Sequence, residues 1–341
     1  MVRKRGDIRI KYLAVIVILL LFSVMDLSLG SVAIPLKDIL ALFSGKEVPE
    51  YVRTIIAGKR IPELITAILA GTALSVCGLQ MQTLFRNPLA DPYVLGISSG
   101  SGLGVSLLIM GFSSFGLSLS GTFAASIGVA AAAWAGAAGV TLIILLVSKK
   151  IRDNVTLLVF GIMLGSALSA VITLFQYLSS SASLKSYVLW TMGSLTGLDP
   201  SELWIMTLLV LTGLIISLFN IKDLNVMLMG ENYAKSLGIN LVRVRKRILV
   251  SATLLAGAVT AFCGPIGFIG IAVPHISRMI FKNSDHKILM PATAITGAAT
   301  MVFADTLAQL PGEVMMLPVN TVSALIGVPV IIFIILKNRS I

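Results

Sequence analysis

Residues 78–104, GLQMQTLFRNPLADPYVLGISSGSGLG, read as two apolar segments joined by a polar corner of Asn87, Pro88, Asp91 and Pro92. Proline fixes φ, lacks an N–H to donate and pushes the residue before it out of the helical region. Prolines on both sides of Leu89-Ala90-Asp91 therefore dictate a rigid, non-helical turn. The apolar runs flanking the corner, 64–84 and 93–111, each approach the roughly 20 residues a helix needs to cross about 30 Å of hydrocarbon. A chain that crosses, turns sharply and crosses back is the unit from which the rest of the fold is read.

The composition extends that unit to the whole sequence. Of 341 residues 57% are hydrophobic and only 12% charged, with a mean hydropathy of +0.98, whereas a soluble domain carries about 25% charged residues. Apolar blocks follow one another with no soluble-sized polar segment between them, so residues 1–341 read as a single membrane domain. The expected fold is an all-α polytopic integral membrane protein of about ten transmembrane helices. These are placed at 12–29, 64–84, 93–111, 121–147, 155–178, 203–219, 241–262, 266–280, 288–310 and 319–336. The basic start (Arg3, Lys4, Arg5, Arg9, Lys11) before the first run looks like a signal peptide's opening. No small-residue cleavage site follows it and Asp26 sits just beyond, so the first span is read as retained.

A net charge of +11 could suggest nucleic acid, but its distribution follows membrane topology. With the N-terminus inside, twenty of the 26 lysines and arginines, from Arg3 through Arg86, Lys149, Arg243 and Arg278 to Arg339, fall in cytoplasmic segments. The positive-inside rule then puts both termini in the cytoplasm. Between helices in lipid, close approach needs small residues at spacing four. Gly96, Gly100 and Gly104, then Gly128, Ala132 and Gly136, then Gly161 and Gly165 supply them. Gly264, Gly267 and Gly270 beside Pro265 predict a broken or kinked element, which must be buried in protein or face water.

Several chemical patterns fail on context. Gly96-Ile97-Ser98-Ser99-Gly100 matches a nucleophile elbow, which works only on a strand-to-helix turn; here it lies in an apolar span. His275 and His286 lack metal-ligand spacing with Cys or acids, and His275 beside Pro274 is read as structural, contact with a haem-like cargo being the alternative. Cys77 and Cys263 sit in apolar runs as small buried hydrophobes. Gly45-Lys46 and Gly58-Lys59 lack the upstream glycine and following Ser or Thr of a phosphate loop, so the chain itself is not expected to bind ATP. Asp305, an acid within a span, is open to two readings: a proton relay or a hydrogen bond near a helix end.

Three stretches remain. One is the Asn87–Pro92 corner just described. A second is Gly230-Glu231-Asn232-Tyr233-Ala234-Lys235-Ser236-Leu237-Gly238, followed by Arg243, Arg245, Lys246 and Arg247. Glu231 near its start and Lys235 near its end suit a helix dipole, and Gly238 suits a C-cap. A helix this short is not stable alone, so it packs on its own protein or a partner. The third stretch runs from Gly264-Pro265-Ile266-Gly267 through Val273-Pro274-His275 and Arg278 to Ala304-Asp305-Thr306 and Leu317-Pro318-Val319.

Together these stretches resemble the permease of the iron-complex (siderophore or haem) and vitamin B12 ABC importers, the FecCD type, over nearly the whole chain from Arg60-Ile61-Pro62 onward. The resemblance implies the type II importer architecture, a homodimer, two cytoplasmic ATPase subunits that hold the ATP and Mg, and an extracytoplasmic substrate-binding protein. It makes 230–238 the ATPase-coupling helix, puts a cytoplasmic gate near Asn154 and Val155, and assigns Arg60 to docking of the binding protein. It implies no catalytic residue, metal site or cofactor on this chain, and no nucleic acid partner.

Departures from the pattern bear on the outer mouth. Glu63 stands where a second arginine is common and Gln309 where some members have a third. Met316-Leu317-Pro318-Val319-Asn320 replaces the usual Glu-Leu-Pro-Val-Gly. A secondary transporter or channel is the alternative, and a membrane-embedded enzyme using Ser98 a third reading. Cargo is open among ferric siderophore, haem and cobalamin.

Overall fold

A computed structural model describes residues 5–30, 32–111, 122–151, 153–310 and 317–338; Arg3, Lys4, Gly121, Met316 and Arg339, used above, lie outside them. Among the described residues the regular structure is entirely helical. Ten apolar helices are α1 (Arg5–Ser28), α2 (Glu50–Leu84), α3 (Ile97–Gly111), α4 (Thr122–Val147), α5 (Asn154–Leu178), α6 (Pro200–Phe219), α7 (Leu241–Cys263), α8 (Ile269–Phe281), α9 (His286–Gln309) and α10 (Val319–Asn338). Seven are long and apolar enough to cross a bilayer, while α3, α8 and α10 are shorter apolar helices. The helices α2, α7 and α9 are the most buried, 67–72% of each apolar window lying inside the protein against 17–33% for α1, α4, α5 and α6. The first set is the centre and the second the periphery.

The helix expected at 64–84 begins far earlier, at Glu50, and passes through a wider turn at Ile56–Arg60. The charged residues there read as loop in the sequence, yet Val52 and Ile56 are fully buried against Leu27, Ile34 and Ile39, and that packing continues the helix.

The break expected around Gly264 is present. Gly264 has φ +73° and Phe268 φ +69°, and α8 is only 13 residues, about 20 Å at 1.5 Å per residue. Its irregular approach is tolerated because side chains and backbone reach it. Gly267 N–H donates to Asn320 Oδ1 at 3.0 Å, Ser194 N–H to the Cys263 carbonyl at 2.8 Å, and Ile266 N–H to the Tyr93 hydroxyl at 3.4 Å.

Small residues set the closest approaches. A Cβ at Gly136 would lie 2.0 Å from the Gly100 carbonyl, and one at Gly104 the same distance from that of Ala132, so the α3–α4 seam follows the expected spacing. Two members of that expectation differ: Gly96 is a left-handed residue before α3 (φ +78°), and Gly128 meets only ordinary contact. The tightest central seams went unread in the sequence: Gly71 against Gly297 between α2 and α9, and Gly78 against Gly270 between α2 and α8.

Candidate functional site

At one end of the bundle Arg86 lies beside Gly230 and Arg245 reaches Asn154 at the start of α5. There a short helix, Glu231–Ser236, stands between two positive-φ backbone positions that favour glycine, Gly230 (φ +112°) and Gly238 (φ +80°). Its C-terminus closes as the sequence suggested. Gly238 N–H donates to the Lys235 carbonyl at 2.9 Å and Ile239 N–H to that of Ala234 at 3.1 Å, the paired bonds of a Schellman cap. Ala234 is fully buried and anchors the helix, while Tyr233 and Leu237 point outward, 46% and 56% exposed, beside exposed Met229. Of the apolar face read in the sequence, one residue therefore faces the protein and two face away from it.

Asn154, the first residue of α5, lies directly against this helix. Its Nδ2 donates to a Glu231 carboxylate oxygen and to the Leu84 carbonyl at the end of α2, 2.7 Å away. Its Oδ1 accepts from Arg245 Nη2 at 2.6 Å. Arg245 Nη1 in turn donates to the carbonyls of Ile151 at 2.9 Å and Ser148 at 3.4 Å, the turn that leaves α4. Before Asn154, Asp153 caps α5 by accepting from the Thr156 backbone N–H at 2.7 Å and its hydroxyl at 2.8 Å. Those two bonds hold its carboxyl below the ordinary carboxylate range. Val155 is 61% exposed and borders a cleft of about 700 Å³ shared with Phe85, Arg86, Met229 and Tyr233. The two residues assigned to a gate thus part company: Val155 faces open space and Asn154 is a buried knot.

In the sequence Arg245 stands among basic neighbours and reads with them as a topology signal. The structure separates it from them: it is 4% exposed on the face of α7 that also carries Val244, Ile248, Leu249 and Ala252. A lone arginine in phase with an apolar helical face was the available signal.

At the opposite end Arg60 corrects the expectation of a surface residue. It is 3% exposed, donating to Gln309 Oε1 and to the Asp26 carbonyl at 3.4 Å. Burial draws it inward because three carboxylates, Asp26, Glu63 and Asp305, are buried around it. Thr306 donates to Asp26 at 3.1 Å and Gln309 Nε2 to Asp305 at 2.9 Å, so Asp305 makes a hydrogen bond near the end of its helix. Both Glu63 oxygens and Asp26 Oδ2 have no hydrogen-bond partner.

The two histidines each meet a hydrogen-bond partner within the bundle. The ring Nε2 of His275 is 2.8 Å from the Pro88 carbonyl, and that of His286 is 2.9 Å from Thr83 Oγ1. Among the described residues no His, Cys, Asp and Glu cluster suits a metal ion.

Over most of its length the chain is similar to known proteins. The profile of the FecCD transport family matches residues 16–337. The Hemin transport system permease protein HmuU of Yersinia pestis is 37% identical over 269 residues, 78% of each chain. The Vitamin B12 import system permease protein BtuC of Klebsiella pneumoniae is 35% identical over 271 residues, again 78% of each. A solved ABC transporter described as of metal-chelate type, in an inward-facing conformation, superposes with a TM-score of 0.83 at 27% identity, covering 96% of this chain and 99% of its own.

Proposed function

Because the chain belongs to the FecCD transport family, we propose that this multi-pass ABC transporter permease forms half of an import path for an iron complex (ferric siderophore or haem) or cobalamin. The path is driven by ATP hydrolysed on a separate subunit. A second copy of the chain completes it. Two ATPase subunits, with their ATP and Mg, bind the basic end, and an extracytoplasmic substrate-binding protein delivers cargo to the other. The chain sits in the inner membrane with both termini cytoplasmic, in keeping with its twenty inward lysines and arginines. It holds no cofactor and carries out no covalent step.

The observation that supports this reading best is the capped Glu231–Ser236 helix, seated by Ala234 and presenting Tyr233, Leu237 and Met229 outward. Exposed apolar side chains on a short helix fit an apolar groove of a partner. Ala234 is a poor probe, since a charge there breaks the helix's own seat. Tyr233→Glu and Leu237→Glu keep the seat and charge the outward face. Co-purification of the ATPase then falls about tenfold or more, and uptake of labelled haem, ferric siderophore and cobalamin falls with it. Undiminished ATPase retention and uptake in the double variant would sink the coupling assignment.

A further inference from the structure

We infer that Asn154 is a positioning residue that carries movement of the Glu231–Ser236 helix into the first turn of α5, and so to Val155; this rests on the coupling reading above. One carboxamide joins five elements: the short helix through Glu231, the end of α2 through Leu84, its own helix α5, and α7 and the α4 turn through Arg245. Among the described residues, Glu231 is the member of the short helix whose side chain hydrogen-bonds another element. Flanked by Gly230 and Gly238, that helix can swing as a unit about two left-handed hinges. When it swings, the Glu231 carboxylate either drags Asn154 with it or lets go.

The chemistry of the side chain makes dragging the cheaper outcome. Asn154 is 5% exposed and Arg245 4%. If Glu231 lets go, its carboxylate and one Asn154 N–H lose a charge-assisted hydrogen bond, while Asn154 stays tied to Leu84 and Arg245. Only a carboxamide suits the position, because it offers donors toward Glu231 and Leu84 and an acceptor toward Arg245. An aspartate would keep the Arg245 bond and set two carboxylates against each other. A leucine would lose every bond. At position 231 glutamine keeps the accepting oxygen and alanine does not.

These differences give a test with a readout that simple destabilisation does not move. Cys77 and Cys263 are buried and free, so both are replaced by alanine and Val155→Cys is added as reporter, giving the parent chain. In complex with its ATPase in proteoliposomes, the parent is labelled by a thiol reagent with and without a non-hydrolysable ATP analogue. The labelling rate of the parent and of Glu231→Gln changes at least about fivefold with nucleotide, the lower end of ordinary coupling between sites. In Asn154→Asp and in Glu231→Ala the two rates become equal while the ATPase still co-purifies. Full nucleotide dependence in Asn154→Asp or Glu231→Ala overturns the inference and leaves the coupling helix standing. Failure of the ATPase to co-purify with the parent removes the coupling helix and this inference together. Glu231 is only partly buried, so Glu231→Ala decides the matter should Asn154→Asp fail to fold.

Discussion

Among the described residues each end of the bundle buries one arginine among polar partners, Arg245 and Arg60, and the two clusters are built on opposite plans. Around Arg245 the partners belong to separate elements joined by turns: Asn154, the α4 exit at Ser148 and Ile151, and beyond Asn154 the hinged helix at Glu231. Around Arg60 the partners sit on long continuous helices, Asp26 on α1, Glu63 on α2, Asp305 and Gln309 on α9. Hydrogen bonds between parts that can move independently make a joint. Charges between long helices packed along their length make a clasp. In the clasp, both Glu63 oxygens and Asp26 Oδ2 are buried without a hydrogen-bond partner.

The largest effect that separates the two plans is removal of the clasp's only buried cation. Arg60→Met leaves three buried carboxylates unanswered and costs about 3–5 kcal/mol, read as the lowest Tm in a series measured in detergent. Arg60→Met with a wild-type Tm would mean that the cluster is not held together by charge. Next comes the seam beneath it. A Cβ at Gly297 falls 2.2 Å from Ser75 Oγ and 2.4 Å from the Gly71 carbonyl, so Gly297→Ala forces α2 and α9 apart. We expect a loss of about 1–3 kcal/mol, the usual range for overpacking. Gly128→Ala on α4, where the nearest atom would be 3.7 Å away, serves as the matched control with no measurable shift.

The sequence exposed the joint more readily than the clasp, for physical reasons. Helices in lipid must satisfy their own backbone, so apolar runs and their glycine and proline punctuation are written locally, down to the break before α8. The caps of the short helix lie within nine residues, Gly230 to Gly238, and are likewise local. What Asn154 touches is not local: Glu231 is 77 positions away and Arg245 91, and the resemblance alone drew attention to it. The burial of Arg60 was hidden because its charge, with Lys59 and Glu50, made the first turns of α2 look like loop. The retrievable hint was three carboxylates, Asp26, Glu63 and Asp305, each inside or beside an apolar run, with one arginine within reach of them.

Charge bookkeeping within the clasp gives a third, opposite-signed expectation. Glu63 accepts no hydrogen bond and crowds Asp26 and Asp305, so desolvation and like-charge repulsion outweigh its attraction to Arg60 and Lys59. Glu63→Gln removes it at nearly the same shape and raises stability by roughly 1–2 kcal/mol, seen as a higher Tm. Combined with Arg60→Met it recovers part of that variant's loss, because one fewer carboxylate then lacks its cation. If Glu63→Gln lowered the Tm instead, Glu63 would be a working member of the clasp and the contrast with the joint would weaken.

The smallest effect belongs to the joint. Gly238 holds φ +80°, a conformation that costs an ordinary L-residue about 1 kcal/mol, so Gly238→Ala weakens the Schellman cap of the Glu231–Ser236 helix. Because that helix is anchored by Ala234 and by the Glu231–Asn154 bond, the penalty stays local. Amide exchange quickens at positions 238 and 239, whose N–H groups make the cap bonds, while the global Tm and the exchange of α2 and α9 do not change. A joint absorbs a local strain of this kind and a clasp passes it along its helices. Spread of the faster exchange from Gly238 into α5 through Asn154 would show the joint to be stiffer than its hinges suggest, whereas confinement to 230–239 marks it as a separately moving part.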